Sequence, residues 1–153
     1  MVVMDPFTRR IIGLAVRPGV LDGPAVCRMF NDVLSRSGSL PQLLSSDHDP
    51  LFVFHRWRAN LRILQIHEIK SVPDVPLSHA FVERLIGSVR REFLDCVPFW
   101  TATDLERKLS DFLRYYNHDR THRALGGQTP LPSPRRLAHI GSFTWQSHCR
   151  GLY

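Results

Sequence analysis

Leu43-Leu44-Ser45-Ser46-Asp47 and Phe81-Val82-Glu83-Arg84-Leu85-Ile86-Gly87-Ser88-Val89-Arg90-Arg91-Glu92 are the two stretches on which the reading of this chain turns. The first is a short apolar run that ends on a carboxylate. The second has the spacing of a helix with an acid in its first turns. Thirty-five residues, 48–82, separate Asp47 from Glu83. An acid at the end of a buried strand and an acid at the start of a helix can converge on one metal ion. Each has a simpler explanation when taken alone. Loops collect Asp because its side chain caps turns, and a carboxylate near a helix N-terminus favours the macrodipole. Periodicity alone does not select Glu83 over Glu92 or Glu106.

The chain has 153 residues, which makes one domain the default. Its composition, 43% hydrophobic and 22% charged, is that of a globular protein and argues against disorder along the whole length. A net charge of +6 and a pI near 9.9 suggest a polyanionic partner. Cys27, Cys96 and Cys149 are odd in number and widely spaced, which implies neither a disulfide framework nor a zinc knuckle and fits a reducing cytoplasm. No apolar run has membrane-spanning length, no signal peptide is evident, and no internal repeat is seen.

Working outward, Val2-Val3-Met4 and Arg10 to Val16 read as the arms of an antiparallel hairpin around the Asp5-Pro6-Phe7-Thr8 turn. Asp22 to Ser35 reads as a helix with Asp22 as its cap, and Leu40 to Ser46 as a strand. Phe52 to Asn60 is expected to form a short helix, Leu61 to Ile66 a strand with one exposed face, and Val72 to Pro76 a loop. A long helix is expected from Ser78 to Cys96, with Val82, Leu85, Ile86, Val89 and Phe93 as its buried stripe. Thr103-Asp104-Leu105-Glu106 reads as the capping box of a last helix with the stripe Leu105, Leu109, Phe112, Tyr116, ended by Gly126-Gly127. This order implies an α/β domain with a mixed sheet over residues 1–130 and an irregular tail over 131–153.

Four words in order give the pattern a family likeness. They are Asp5-Pro6-Phe7-Thr8-Arg9-Arg10-Ile11-Ile12-Gly13, Ser45-Ser46-Asp47, the Glu83 helix, and Tyr115-Tyr116-Asn117-His118-Asp119-Arg120-Thr121-His122-Arg123-Ala124-Leu125 with Thr129-Pro130. Together they resemble the rve-type integrase core of bacterial insertion-sequence transposases, of the D,D-35-E class. The resemblance implies a ribonuclease-H-like fold, a mixed sheet flanked by helices, and phosphoryl transfer at DNA ends. It makes Asp47 and Glu83 the second and third acids of the triad, both catalytic and both metal ligands. In such a site three carboxylates hold two Mg²⁺ ions, with Mn²⁺ as a substitute, about 4 Å apart beside the attacking and leaving oxygens. Hard oxygen donors suit that metal. Arg84, Arg90 and Arg91 become candidate DNA-phosphate contacts against the alternative of a solvated basic face. DNA, as transposon ends and target, is the implied partner, with a second copy of the chain alongside. The implied location is a bacterial cytoplasm, nucleoid-associated when DNA-bound.

The family's first acid lies on a strand upstream of the Asp5 hairpin. The expectation is therefore a core truncated at its N-terminus, lacking its first strand and inactive as it stands. Asp5 matches the family's hairpin Asp, which is not a ligand. The alternative function is a non-catalytic relic that binds DNA or pairs with a full-length copy. His118 and His122, at i and i+4, keep a zinc site open as a lesser reading.

Overall fold

In a computed structural model, residues 1–70, 80–132 and 147–149 are described. The expected Val72 to Pro76 loop, the Ser78 cap and most of the 131–153 tail lie outside these residues. The hairpin is present: β1 (Val2–Met4) pairs antiparallel with β2 (Ile11–Leu14), with an irregularity between Val3 and Met4. Its turn is built by Asp5, whose carboxylate accepts hydrogen bonds from the Phe7 amide at 2.9 Å and the Thr8 hydroxyl at 2.6 Å. Gly13 has no room for a side chain, because a Cβ there would sit 2.5 Å from Cγ1 of Val33. Glycine at this position lets α1 (Gly23–Ser37) lie close on the hairpin. Asp22 caps α1 by accepting from the Ala25 amide at 2.7 Å, and Gly38 closes it at φ 69°.

Next come β3 (Leu43–Ser46), α2 (Pro50–Val53), α3 (His55–Ile63) and β4 (His67–Lys70). β3 and β4 pair in parallel, Leu43 opposite His67 through Ser46 opposite Lys70. The strand expected at Leu61 to Ile66 is corrected here. Leu61 to Ile63 end α3 and Leu64 and Gln65 form a turn, because Trp57 and Leu61 bury one helical face, at 1% and 2% exposure, while Ile63 is 80% exposed. Alternation would have buried Leu61 and Ile63 together. Gln65 turns the chain at φ 58°, Ile66 is buried, and the strand begins one residue later.

α4 (Ala80–Ser88) runs into a π-helical turn at Val89–Leu94. The buried stripe is narrower than expected. Leu85, Ser88, Val89 and Phe93 are buried while Ile86 is 43% exposed, so Ile86 leaves the expected set. α5 (Ala102–His118) is capped by Thr101, whose side chain accepts from the Asp104 amide, and not by Thr103. Only Thr101 has the extended backbone a cap requires, at φ −134° and ψ 161°. The helix ends at His118. Gly126, at φ 63°, closes instead a short 3₁₀ turn at Arg123–Leu125.

Two cores flank the strands. Val2 and Met4 pack with Ile11, Leu85, Phe93, Leu109, Phe112 and Tyr116. Met1, Val3 and Leu44 pack with Val26, Phe30, Trp57, Leu61 and Ile66. Side-chain alternation along β1 thus feeds both layers, and helices cover both faces of the hairpin. The strands form two two-stranded sheets, one antiparallel and one parallel, where the sequence suggested one mixed sheet.

Candidate functional site

Asp47 follows the last residue of β3, at the carboxyl end of a parallel pair, where open sheets present their ligand sites. It is exposed, and its carboxylate accepts the Asp49 amide at 3.1 Å. Its backbone carbonyl accepts from the Lys70 ammonium at 3.2 Å. Lys70 also donates to the Ser46 hydroxyl at 2.8 Å and the Phe52 carbonyl at 3.1 Å, and pairs with Glu68 at 2.8 Å. One oxygen of Glu68 in turn accepts from the Ser46 hydroxyl at 2.6 Å and the Trp57 indole at 2.8 Å. Burial pushes the Glu68 carboxyl up, but the hydrogen bonds from Lys70, Ser46 and Trp57 outweigh it and hold it below the usual range. The loop that carries Asp47 is therefore anchored to β4, α2 and α3 through a single lysine and a single glutamate. Asp49 is accounted for separately: it caps α2 by accepting the Leu51 amide at 2.8 Å, with Pro50 after it.

Glu83 is exposed in the first turn of α4. Two residues earlier, Phe81 lies under the Arg9 guanidinium, 3.5 Å from the ring centre. Arg84, Arg90 and Arg91 are all exposed. Arg91 lies across Gly87, where a Cβ would come within 3.0 Å of its guanidinium.

The closing word of the sequence is a brace. Asn117, 2% exposed, accepts from the Ile11 amide and donates to the Ile11 carbonyl, both at 2.9 Å. Arg120 grips Glu92 with two hydrogen bonds, at 2.6 and 2.9 Å. That bridge joins the end of α5 to the π-helical turn below Glu83. His122 packs edge-on against Tyr116, ring centres 4.8 Å apart. Burial and the neighbouring Arg120 and Arg9 guanidinium groups hold its imidazole below the ordinary value. A ring so surrounded by cations suits packing better than zinc, and His118 beside it is exposed.

Asp47 and Glu83 belong to different halves, and no hydrogen bond between them is present among the described residues. Both offer hard, exposed oxygen donors of the kind Mg²⁺ takes. Among the described residues no group of three or more His, Cys, Asp or Glu gathers in metal-binding geometry. Both oxygens of Asp5 accept hydrogen bonds within the hairpin turn. Glu68 and Lys70 were not legible in the sequence. The signal that could have found them is their alternation on one face of a strand four residues long, beside an apolar strand ending on Asp.

Residues 64–130 match the family model described as the integrase core domain, a span that includes Glu83, Glu92 and Arg120. The chain is 28% identical over 130 residues to an uncharacterised 39.2 kDa protein of insertion element IS476 from Xanthomonas euvesicatoria. That alignment takes in 85% of this chain and 37% of the relative, so the chain spans a little over a third of the relative's length. Among solved structures, the catalytic core domain of BIV integrase superposes with a TM-score of 0.65 at 23% identity, over 84% of this chain and 80% of that one. A chain of the simian T-cell lymphotropic virus intasome, in complex with PP2A regulatory subunit B56 gamma, superposes at 0.64 and 18% identity, over 94% and 53%. The fold is that of an integrase catalytic core, ribonuclease-H-like, and the chain resembles the rve-type cores of insertion-sequence transposases. Among the described residues no helix is long and apolar enough to cross a membrane.

Proposed function

We propose that this integrase-core chain serves DNA transposition, as the part of a transposase that holds a DNA end for phosphoryl transfer. The observation that carries the reading is the placement of Asp47 at the carboxyl end of β3 and Glu83 in the first turn of α4, within this fold. In this reading Asp47 and Glu83 are the residues that would hold Mg²⁺ or Mn²⁺. Such an ion, when bound, polarises the phosphoryl oxygen and favours attack by water or by a 3′-hydroxyl. Lys70 fixes the Asp47 backbone, so the carboxylate is aimed by the β3 and β4 pair. Arg84, Arg90 and Arg91, exposed on the Glu83 helix and its π-helical turn, contact the phosphates of the bound end. DNA ends and target are the partners, and a second copy of the chain joins the assembly.

A second reading has its own support. Both oxygens of Asp5 accept hydrogen bonds in its turn, and no three His, Cys, Asp or Glu gather among the described residues as a metal site would need. The chain would then bind DNA, or associate with other copies, without cutting it.

The test is a strand-transfer assay on a labelled DNA end with Mg²⁺ or Mn²⁺, beside a binding measurement on the same DNA and an Asp47→Asn variant. Product that disappears in Asp47→Asn, with binding kept, supports the first reading. DNA binding without product supports the second. Absence of both overturns the two together.

A further inference from the structure

We infer that the cleft between α3 and β4 is a second binding site for the phosphodiester backbone of DNA, with Arg58 and Arg62 as its cationic contacts. The cleft has a volume of about 440 Å³. Leu61 and Ile66, both buried, lie at its floor, and Arg58, Arg62, Gln65 and His67 line it.

The charge on α3 is one-sided. Its nine residues hold Arg56, Arg58 and Arg62 and no acid. Arg58 and Arg62 are four residues apart, so they share a helix face and repel each other in the absence of a counter-charge. Three arginines on other elements are held by carboxylates: Arg36 by Glu106, Arg107 by Asp104, Arg120 by Glu92. Among the described residues Arg58 and Arg62 have no carboxylate within ion-pair reach. The acid that does line the cleft, Glu68, is already neutralised by Lys70, and one of its oxygens is taken up by Ser46 and Trp57. Arg62 also stands in the last turn of α3, where a cation meets the favourable end of the helix dipole.

The rim is set by a conformation that costs energy. Gln65 adopts φ 58°, a left-handed geometry that strains a non-glycine residue. That turn folds β4 back along α3 and closes the cleft between Arg62 and His67. Two fork-shaped donors one helical turn apart, over an apolar floor, suit consecutive phosphates of one strand better than a single small anion. A positive face of this kind supplies affinity without sequence preference.

This inference rests on the reading that the chain's partner is DNA. It concerns residues apart from Asp47, Glu83 and the α4 arginines. The test is equilibrium binding of a labelled DNA duplex across a salt series, for wild type, Arg58→Ala/Arg62→Ala, Arg58→Lys/Arg62→Lys, and the charge-matched control Arg36→Ala/Arg107→Ala. All four substituted arginines are exposed, and circular dichroism checks that each variant is folded. Each phosphate contact contributes roughly 0.9 to the slope of log affinity against log salt. The alanine pair is expected to lower that slope by about 1.8 and weaken binding on the order of tenfold or more at 0.1 M salt. The lysine pair should keep the slope, and the control pair should leave it within about 0.3 of wild type. An unchanged slope in the alanine pair, or an equal loss in the control pair, overturns the inference while strand transfer by wild type still supports the transposase reading. Wild type that binds no DNA removes both.

Discussion

Behind Asp47 the polar contacts converge on one point, whereas behind Glu83 they are spread over the chain. Ser46, Trp57 and Lys70 all donate to the same oxygen of Glu68, and Lys70 reaches on to the Asp47 carbonyl. On the other side, Asn117 ties α5 to β2, and Arg120 ties the end of α5 to Glu92 in the π-helical turn. Phe93 and Phe112 lie between these two braces, with ring centres 5.3 Å apart. The Asp47 half is thus a hub and the Glu83 half a frame. A hub fails through any of its spokes, while a frame loses one brace at a time. Both arrangements are polar, yet only the hub reaches, through Lys70, the backbone of a candidate site acid.

The strongest way to break the hub is through Trp57, which is 1% exposed and packed against Phe30 and Phe52 at about 5 Å. Trp57→Ala removes a large core side chain and leaves Glu68 short of a donor. The expected loss is about 4 kcal/mol in urea unfolding, enough to unfold a domain of ordinary stability. Trp57→Phe separates the two effects. It keeps most of the ring packing and loses the indole donor, so about 1–2 kcal/mol of the loss should remain. A Phe variant as damaged as the Ala variant would show that the hydrogen bond, not the packing, dominates.

The frame is tested next at Asn117. Asn117→Ala strands the amide and the carbonyl of Ile11, both buried, and should cost about 3 kcal/mol. A loss below about 0.5 kcal/mol would mean that water takes over both groups and that this brace is dispensable. Arg120→Lys replaces a two-pronged contact with Glu92 by a point charge. Both partners are partly exposed, at 25% and 31%, so the expected loss is about 1 kcal/mol. The ratio between the Asn117 and Arg120 effects measures how the frame divides its load.

Much of the fold could be read from the sequence because local chemistry and tertiary packing agree there. Asp5 makes its turn, Asp22 caps its helix, and the hairpin pairs as its apolar arms suggest. The misreadings have physical causes. Leu61 to Ile66 alternates like a strand, but Trp57 and Leu61 also satisfy a helical spacing, and burial decided for the helix. Ile86 fits the stripe of an ideal helix but sits at its edge, since Leu85, Ser88 and Val89 take the buried face. Thr103 and Thr101 both offer caps, and only the backbone distinguishes them. Within the candidate site, Asp47 and Glu83 are candidates only through the family words around them, since periodicity does not set Glu83 apart from Glu92 or Glu106. Glu68 and Lys70 could not be named from the sequence, since their roles come from the parallel register that sets Ser46 opposite Lys70. Asn117 and Arg120 stood inside a recognisable word whose purpose, bracing rather than chemistry, only their distant partners reveal.

Acidification should separate the two halves by an effect smaller than any of these. His122 lies in the frame, and its imidazole is held below the ordinary value of 6.5 by burial and then by Arg120 and Arg9. The unfolded chain therefore takes up a proton first, and stability falls as the pH drops from about 6.5 toward the folded value. Glu68 sits in the hub. Burial opposes ionisation there, but its three donors hold it below the usual 4.5. Its contribution is fully present above that value and is lost only as the pH falls through the lower folded value. The frame thus weakens first and the hub later. Urea unfolding across pH 7 to 3 checks this with two variants. His122→Gln should flatten the decline just below pH 6.5 and leave the one below pH 4.5, while Glu68→Gln should keep the first and only reduce the second on a lower baseline, because Asp5 and Asp104 are also held below their usual values and keep the rest. If His122→Gln removed the decline below pH 4.5 instead, the two networks would be coupled through the strands, and hub and frame would be one structure rather than two.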